Sequence, residues 1–493
     1  MILTTDIIKD IERKMGRYRN FDTPGLWSAD GQQFYTELRP GLDVALPPAY
    51  ARGSETKELH YMQSLDSGFS PPTLRKGQKY VMDLAEPILK RFEKNKNNTY
   101  FQICLDCGTG KTILTRLLIE RLKLRTVVVL KSKILGEQWK ECLAGLDCYH
   151  SNQGQKVLLE KDEGVHDVLI CCSPHFKEKE FVKNIRENYS LIIIDESHEH
   201  KLMNMNMISR FLALNPMSVC ISLTATPNDF NDIYLGTRLS FHEDLDHKLK
   251  LYVVKPDWEL RVNTTSICNY IKSNKIGRKL FQGKPISNSV GSEISKEERG
   301  FYKNLVANDD STDLLIERSL LQNLAKMETT DAGREEFPKI IVFSSSRVQT
   351  TRLYKRLKNR LTVGVSLFDD DSLEKCREKT DPSDTYVLLT TVQKGSSGLN
   401  VPCANTIHII SPETNSTKLV QMTGRALRPN DSVVRVTYIY DASGLMCCDL
   451  DSPSLRKILG NAEKWRSGAF QRLKNHYSKN WEENSVLIAR QSH

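Results

Sequence analysis

Short, uninterrupted apolar runs, each separated from the next by a stretch of helical periodicity, constrain this chain more than any other feature. Residues 101–105, 126–130, 168–172, 191–194 and 219–223 form one series, and residues 340–343, 363–365, 387–390, 406–410 and 434–440 form a second. Short runs of this kind, mostly apolar along their length rather than strictly alternating, suit strands buried on both faces, and the helices between them supply the cover. The expected fold class is therefore α/β, with two parallel-sheet domains in tandem. At 493 residues the chain is long enough for about three domains.

The rest of the chain divides around those series. Residues 1–70 read as an N-terminal extension: a short amphipathic helix (Ile7, Ile8, Ile11, Met15), then a turn-rich stretch that ends at Ser70-Pro71-Pro72. Residues 71–235 hold the first domain, 236–300 a loop-rich connector with Lys272, Lys275, Arg278, Lys279 and Lys284, and 301–451 the second domain. Residues 452–493 place Leu455, Ile458, Leu459, Ala462, Trp465, Ala469, Leu473 and Tyr477 at helical spacing, with a basic opposite face. That face reads either as a solvated side of a docked helix or as cations along a nucleic-acid backbone.

The net charge of +9 accommodates a polyanionic partner without requiring one. No apolar run approaches a membrane span, and the charged first residues do not form a signal peptide. The 12 cysteines are scattered, several within strand-like runs, which suits buried thiols in a reducing compartment. One CxxC, Cys104 to Cys107, has no second pair at zinc spacing.

Chemistry concentrates at the ends of two apolar runs. After 101–105 comes Asp106-Cys107-Gly108-Thr109-Gly110-Lys111-Thr112, then a helix with Ile113, Leu114, Leu117, Leu118 and Leu122 on one face. Glycines let backbone N–H groups close around phosphates, Lys111 supplies charge to the β and γ groups, and Thr112 offers a hydroxyl to Mg²⁺. After 191–194 comes Asp195-Glu196-Ser197-His198. Asp195 is expected to hold the Mg²⁺ ion and Glu196 to position and deprotonate the attacking water. His198 is placed to report nucleotide state to neighbouring backbone.

The DESH string, with Thr224-Ala225-Thr226-Pro227 closing the next run, resembles the superfamily 2 helicases of the DExH type. The remaining signatures follow in order. Leu74-Arg75 with Gln78 is similar to the adenine-reading element, and Leu135 with Gln138-Trp139 to the first strand-tracking motif. Ile341-Val342-Phe343-Ser344 resembles the motif that opens the second domain. Thr390-Thr391, Gly395 and Gly398-Leu399-Asn400-Val401-Pro402 resemble the motif lining nucleotide and nucleic acid. Gln421-Met422-Thr423-Gly424-Arg425-Ala426-Leu427-Arg428 resembles the arginine-finger motif.

The resemblance implies two RecA-like domains, ATP and Mg²⁺ as cofactors, and a cleft that sets the phosphate loop and acids against Gln421, Arg425 and Arg428. Cys107, Gly108, Thr109, Gly110, Lys111 and Thr112 would hold the phosphates, with Gln78, Gly398 and Asn400 on the rest of the nucleotide. Thr224 and Thr226 would couple hydrolysis to movement. Ser173, Ser345 and Thr391 would grip a single-stranded DNA or RNA backbone. Three positions depart from the pattern. Leu105 and Asp106 stand at the start of the loop, where small residues are common, and Asn400 stands where the superfamily commonly has Asp.

The string 198–204, with Arg210-Phe211-Leu212-Ala213, Pro216-Met217 and the leader segment 39–47, further resembles the poxvirus transcript-termination helicases. That likeness implies release of nascent RNA from a viral RNA polymerase elongation complex, working with viral elongation factors in the virion core and host cytoplasm, and 3′-to-5′ DNA unwinding. An RNA helicase, and a translocase that remodels complexes without unwinding duplex, remain open alternatives.

Overall fold

The computed structural model describes residues 2–9, 26–35, 39–45, 58–63, 68–106, 108–131, 133–150, 165–200, 202–215, 217–227, 232–241, 249–256, 300, 303–304, 307, 310–324, 328–329, 335–361, 363–367, 375–376, 378–379, 381, 383–395, 401, 404–413, 415–425, 435–440, 453–476 and 481–488. Two compact units divide the chain, residues 1–243 and 244–493. Among the described residues no helix is long and apolar enough to cross a membrane.

The first unit opens with a two-residue pair, β1 (Leu26–Trp27) and β2 (Phe34–Tyr35), and continues with β3 (Thr99–Leu105), β4 (Thr126–Leu130), β5 (Cys148–His150), β6 (Val168–Cys172), β7 (Leu191–Ile194), β8 (Val219–Thr224) and β9 (Thr237–Phe241). Strands β3 to β9 form one parallel sheet in the order β5-β6-β4-β7-β8-β3-β9. Every residue of β4, β6, β7 and β8 is buried, so alternate side chains feed two apolar layers. Val128, Ile170, Ile193 and Ile221 pack on one face, and Val127, Leu169, Ile192 and Cys220 on the other. Each such aliphatic side chain contributes roughly 1.5–3 kcal/mol on burial.

The leader belongs to this unit. Leu3, Ile8, Leu26 and Val44 form a small core of their own, and Trp27 Nε1 donates to Ser209 Oγ at 3.2 Å on the helix Leu202–Leu214. Residues 60–62 run against the end of the sheet, where Arg125 N donates to His60 O and Met62 N to Lys123 O, both at 2.8 Å.

The second unit holds β10 (Leu249–Pro256), the short pair β11 (Glu328–Thr329) and β12 (Glu335–Glu336), then β13 (Lys339–Ser344), β14 (Val365–Leu367), β15 (Tyr386–Thr391), β16 (Thr406–Ile409), β17 (Arg435–Tyr440) and β18 (Trp481–Ile488). Its sheet is again seven parallel strands, ordered β14-β15-β13-β16-β17-β10-β18. With strands numbered within their own seven-stranded sheet, both sheets have the same permutation: third, fourth, second, fifth, sixth, first, seventh. The two halves share a topology as well as a fold class.

Two boundaries differ from the sequence reading. The stretch 236–300, expected to be connector, contains β9 of the first sheet and β10 of the second. The segment 452–493, expected to be a helical tail, gives the helix Pro453–His476 and then β18, which lies parallel to β10 along eight residue pairs. Ala469 and Leu473 of that helix are fully buried.

A buried histidine ties the second sheet to its helical cover. His408, in β16, has Nδ1 2.7 Å from Tyr440 Oη and Nε2 3.2 Å from Asn323 Nδ2. Burial pushes its pKa from 6.5 down to about 3. The unfolded chain takes up this proton near the ordinary value, whereas the folded one refuses it. The stability held above that value is therefore lost progressively as pH falls toward the folded pKa. We expect the thermal midpoint of the wild type to drop more steeply between about pH 6.5 and pH 4 than that of His408→Asn, by the equivalent of a few kcal/mol. Parallel midpoint profiles for the two proteins would refute this assignment.

Candidate nucleotide site

All seven strands of the first sheet end on the same edge, so residues that follow β3, β6, β7 and β8 in sequence are brought together in space, where ligands of open parallel sheets bind. Beyond β3 the chain turns through Gly108 and Gly110, at φ of 80° and 83°. A side chain at position 110 would be strained by that φ, and its Cβ would lie 2.5 Å from Gln78 Nε2. The helix Lys111–Leu122 starts directly from Gly110, so its first N–H groups face the turn.

Lys111 Nζ donates to the carbonyls of Leu105 at 3.0 Å and Asp106 at 3.2 Å. Thr109 Oγ1 donates to Asp106 O at 2.7 Å. The departure noted at position 105 has a simple basis. Leu105 is the last residue of β3, paired with Phe241 and buried, so it belongs to the strand and not to the turn. Gln78 is turned onto the loop. Its Nε2 donates to Gly110 O at 3.1 Å while its Oε1 accepts Arg75 N at 3.0 Å. Thr112 is half-buried on the first turn of the helix.

Beyond β7, Asp195 is almost wholly enclosed. Its Oδ1 accepts the Glu196 N–H at 2.9 Å and its Oδ2 accepts the Trp139 indole N–H at 2.7 Å. Its backbone N–H reaches Val129 O at 3.0 Å, and its carbonyl lies 3.1 Å from His200 Nε2. Burial pushes the Asp195 pKa up from 3.8 to about 6; the neighbouring Glu196 charge adds to the rise, while the Trp139 bond and the Lys111 charge oppose it.

Glu196 sits in the left-handed region, φ 46° and ψ 50°, a conformation that costs a non-glycine residue about 1–2 kcal/mol. Its Oε2 is buried without a hydrogen-bond partner and lies 3.6 Å from His198 Nδ1. That same nitrogen lies 2.7 Å from Thr224 Oγ1, which accepts the Thr226 N–H at 3.1 Å. A line of contacts thus runs from the acid after β7 to the turn after β8. Thr226 Oγ1 and Ser173 Oγ, at the ends of β8 and β6, are also buried without hydrogen-bond partners.

The donor set suits a magnesium triphosphate: carboxylate and hydroxyl oxygens for a hard cation, and an ammonium with backbone N–H groups for phosphate. Buried polar atoms left unsatisfied are costly, and Glu196 Oε2, Ser173 Oγ and Thr226 Oγ1 at this edge fit a site that receives a polar guest.

In the second unit, the expected residues again follow strand ends. Ser345, after β13, donates its hydroxyl to Ser411 Oγ at 3.0 Å. Thr391, the last residue of β15, accepts the Lys394 N–H at 3.3 Å. Gln421 is buried on the helix Ser416–Thr423, and half-buried Arg425 follows its end. Asn415 caps that helix by accepting the N–H groups of Thr417 and Lys418 at 2.9 and 3.4 Å. Cys107, Gly398, Asn400 and Arg428 lie outside the described residues.

Residues 72–229 match the family of the type III restriction enzyme res subunit, and residues 319–430 match the helicase conserved C-terminal domain. Together the two matches span more than half of the chain. The chain belongs to the superfamily 2 helicases. Its relatives include transcript termination protein A18 of Yaba-like disease virus, 27% identical over 75% of this chain and 73% of that protein. The protein of the same name from cowpox virus (strain Brighton Red) is 25% identical over 88% and 85%. Transcript termination protein OPG145 of monkeypox virus is 27% identical over 85% and 83%. Among solved structures, the ATP-dependent type ISP restriction-modification enzyme LlaBIII bound to DNA shares the fold, with a TM-score of 0.51 at 13% identity. That likeness covers 86% of this chain and 32% of the larger one.

As a helicase of this superfamily the protein uses ATP and acts on nucleic acid. Two residues that hold its acid motif in place are not apparent from the sequence. Trp139 stands in a motif expected to track the strand, and nothing local shows its indole reaching an aspartate 56 residues on. His200, which holds the Asp195 carbonyl, is separated from it by a turn whose path no periodicity reveals.

The raised Asp195 pKa has a consequence for stability. The unfolded chain releases this proton near pH 4, whereas the folded protein keeps it to about 6. Ionisation above that window therefore opposes folding, and stability falls as pH rises through it. Without magnesium or nucleotide, Asp195→Asn is expected to gain about 1–3 kcal/mol relative to wild type between about pH 4.5 and pH 7.5. Thermal midpoints at the two pH values check this; a difference independent of pH would contradict it.

Proposed function

We propose that this protein is an ATP-driven, nucleic-acid-stimulated DNA helicase and translocase that ends viral transcription by releasing nascent RNA from the viral polymerase elongation complex. The line Glu196–His198–Thr224–Thr226 carries the reading, since it joins the expected hydrolytic acid to a second strand end by contacts of 3.6, 2.7 and 3.1 Å. The names of the poxvirus relatives support the termination role. Viral elongation factors are the expected co-workers, in the host cytoplasm and virion core, with 3′-to-5′ polarity on DNA.

The residue roles follow from the site. Lys111 leaves the Leu105 and Asp106 carbonyls to bind the β and γ phosphates, and backbone N–H groups between Gly108 and Thr112 surround them. Thr112 and Asp195 hold the magnesium ion, which supplies charge to the phosphates when bound. Glu196 orients the attacking water and takes its proton. Gln78 exchanges the Gly110 carbonyl for the adenine edge. Gln421, Arg425 and Arg428, the residues of the arginine-finger motif, stabilise charge on the transferred phosphoryl group. Ser173, Ser345 and Thr391 bear on the nucleic-acid backbone.

With saturating single-stranded DNA, Lys111→Ala is expected to lower ATP turnover by about 10³-fold or more while single-strand binding persists. Retained turnover would remove the assignment. Arg425→Ala is expected to keep nucleotide affinity within about threefold and lose roughly 10³–10⁵ in rate. Equal losses in binding and rate would place that arginine on the ground state. Stalled polymerase complexes that shed RNA equally well without ATP would overturn the termination role but not the ATPase.

A further inference from the structure

We propose that Trp139 is a positioning residue for nucleotide hydrolysis, its indole N–H locking the Asp195 carboxylate in the orientation that serves magnesium. The proposal rests on the reading of Asp195 as the metal-holding acid.

Trp139 is only 1% exposed and lies on the helix Lys133–Cys142 that follows β4. Its neighbours on the same side of the sheet, Leu135 and Leu143, are pure hydrocarbon. Filling that space needs no polar atom, and a buried indole N–H is costly unless it finds an acceptor. It finds one at 2.7 Å, and the acceptor is Asp195 Oδ2. A hydrogen bond to an ionised carboxylate is roughly twice as strong as one between neutral groups.

The other oxygen, Oδ1, accepts the Glu196 N–H at 2.9 Å. With one donor fixed on each oxygen, the carboxylate cannot rotate about its own axis without breaking a bond, and each oxygen keeps a further lone pair for a ligand. The backbone carbonyl is held as well, 3.1 Å from His200 Nε2. Of these contacts, the indole alone comes from an element outside the β7 turn. Any displacement of the Lys133–Cys142 helix therefore acts on the acid directly through Trp139.

The test compares full-length wild type with Trp139→Phe, Trp139→His and Asp195→Asn, measuring affinity for a non-hydrolysable ATP analogue with and without magnesium. Trp139→Phe keeps a ring and loses the donor. It is expected to leave magnesium-free affinity unchanged and to lose about ten- to a hundredfold of the magnesium-dependent gain. Trp139→His, which offers a ring N–H, recovers part of that gain. In the Asp195→Asn background, Trp139→Phe has no further effect on magnesium dependence.

Wild-type tryptophan emission changes on adding magnesium to the analogue complex, and the change is lost in Asp195→Asn; this readout stands even if Trp139→Phe does not fold. A lower thermal midpoint with the magnesium gain intact would make the indole mere packing and end the proposal. So would an undiminished effect of Trp139→Phe in the Asp195→Asn protein. A wild-type magnesium gain in Asp195→Asn alone would instead defeat the reading of Asp195 itself.

Discussion

An acid buried at the end of a central strand is the constraint on which the first unit depends. Strand β7 has four aliphatic residues, each buried, and carries Asp195 into surroundings that raise its pKa to about 6. Two N–H donors orient the group, but they do not neutralise it. The cost of ionising it is therefore carried by the fold, and a cation held there, as proposed for magnesium, would offset that cost. Glu196 adds strain of its own, held at positive φ with one oxygen enclosed. Strain and unmet charge at one strand end are what a site looks like when it is shaped for a ligand and not for stability.

The second unit treats the equivalent place in the opposite way. Its sheet repeats the strand permutation of the first, so β16 occupies the position of β7. The nearest acid beyond β16 is Glu413, also buried, and Lys303 Nζ lies 2.7 Å from both of its oxygens. That carboxylate also accepts the Asn415 N–H at 3.0 Å, leading into the cap of the helix that carries Gln421. One topology thus gives an uncompensated acid in one unit and a neutralised, structural acid in the other. A shared fold is accordingly no argument for a shared site.

Much of this was legible in the sequence, for reasons that also explain what was not. Strands β4, β6 and β7 are continuous apolar runs with sharp ends, and their bounds match the expectation residue for residue. Strand β5 is only Cys148–His150, half-buried at the sheet edge, and β9 mixes Arg238 and Ser240 with apolar residues, so neither carries the pattern of a buried strand. Strand β18 begins Trp-Glu-Glu-Asn and pairs with β10, more than two hundred residues earlier; no local signal encodes that partner. Within the site, the loop and the acids were readable because their chemistry is local. The orientation of Gln78 onto Gly110 and of Trp139 onto Asp195 was not, since both bonds cross from separate helices.

The parts outside the two matched family segments are not passive additions. Before residue 72, Trp27 anchors the leader to Ser209, on the helix that follows the acid motif. After residue 430, the helix Pro453–His476 packs Ala469 and Leu473 into one buried cluster with Leu419, Val420 and Met422. Arg472 Nε donates to Ser416 Oγ at 3.2 Å, at the first turn of the helix Ser416–Thr423. Each extension therefore braces a helix attached to a proposed catalytic motif, one after Glu196 and one before Arg425. A helicase cycle requires those motifs to hold their geometry under load, and cross-bracing by chain ends distant in sequence provides this without altering the motifs themselves. In physical terms, what distinguishes this chain from a minimal pair of helicase domains is support for the two helices next to its proposed catalytic motifs.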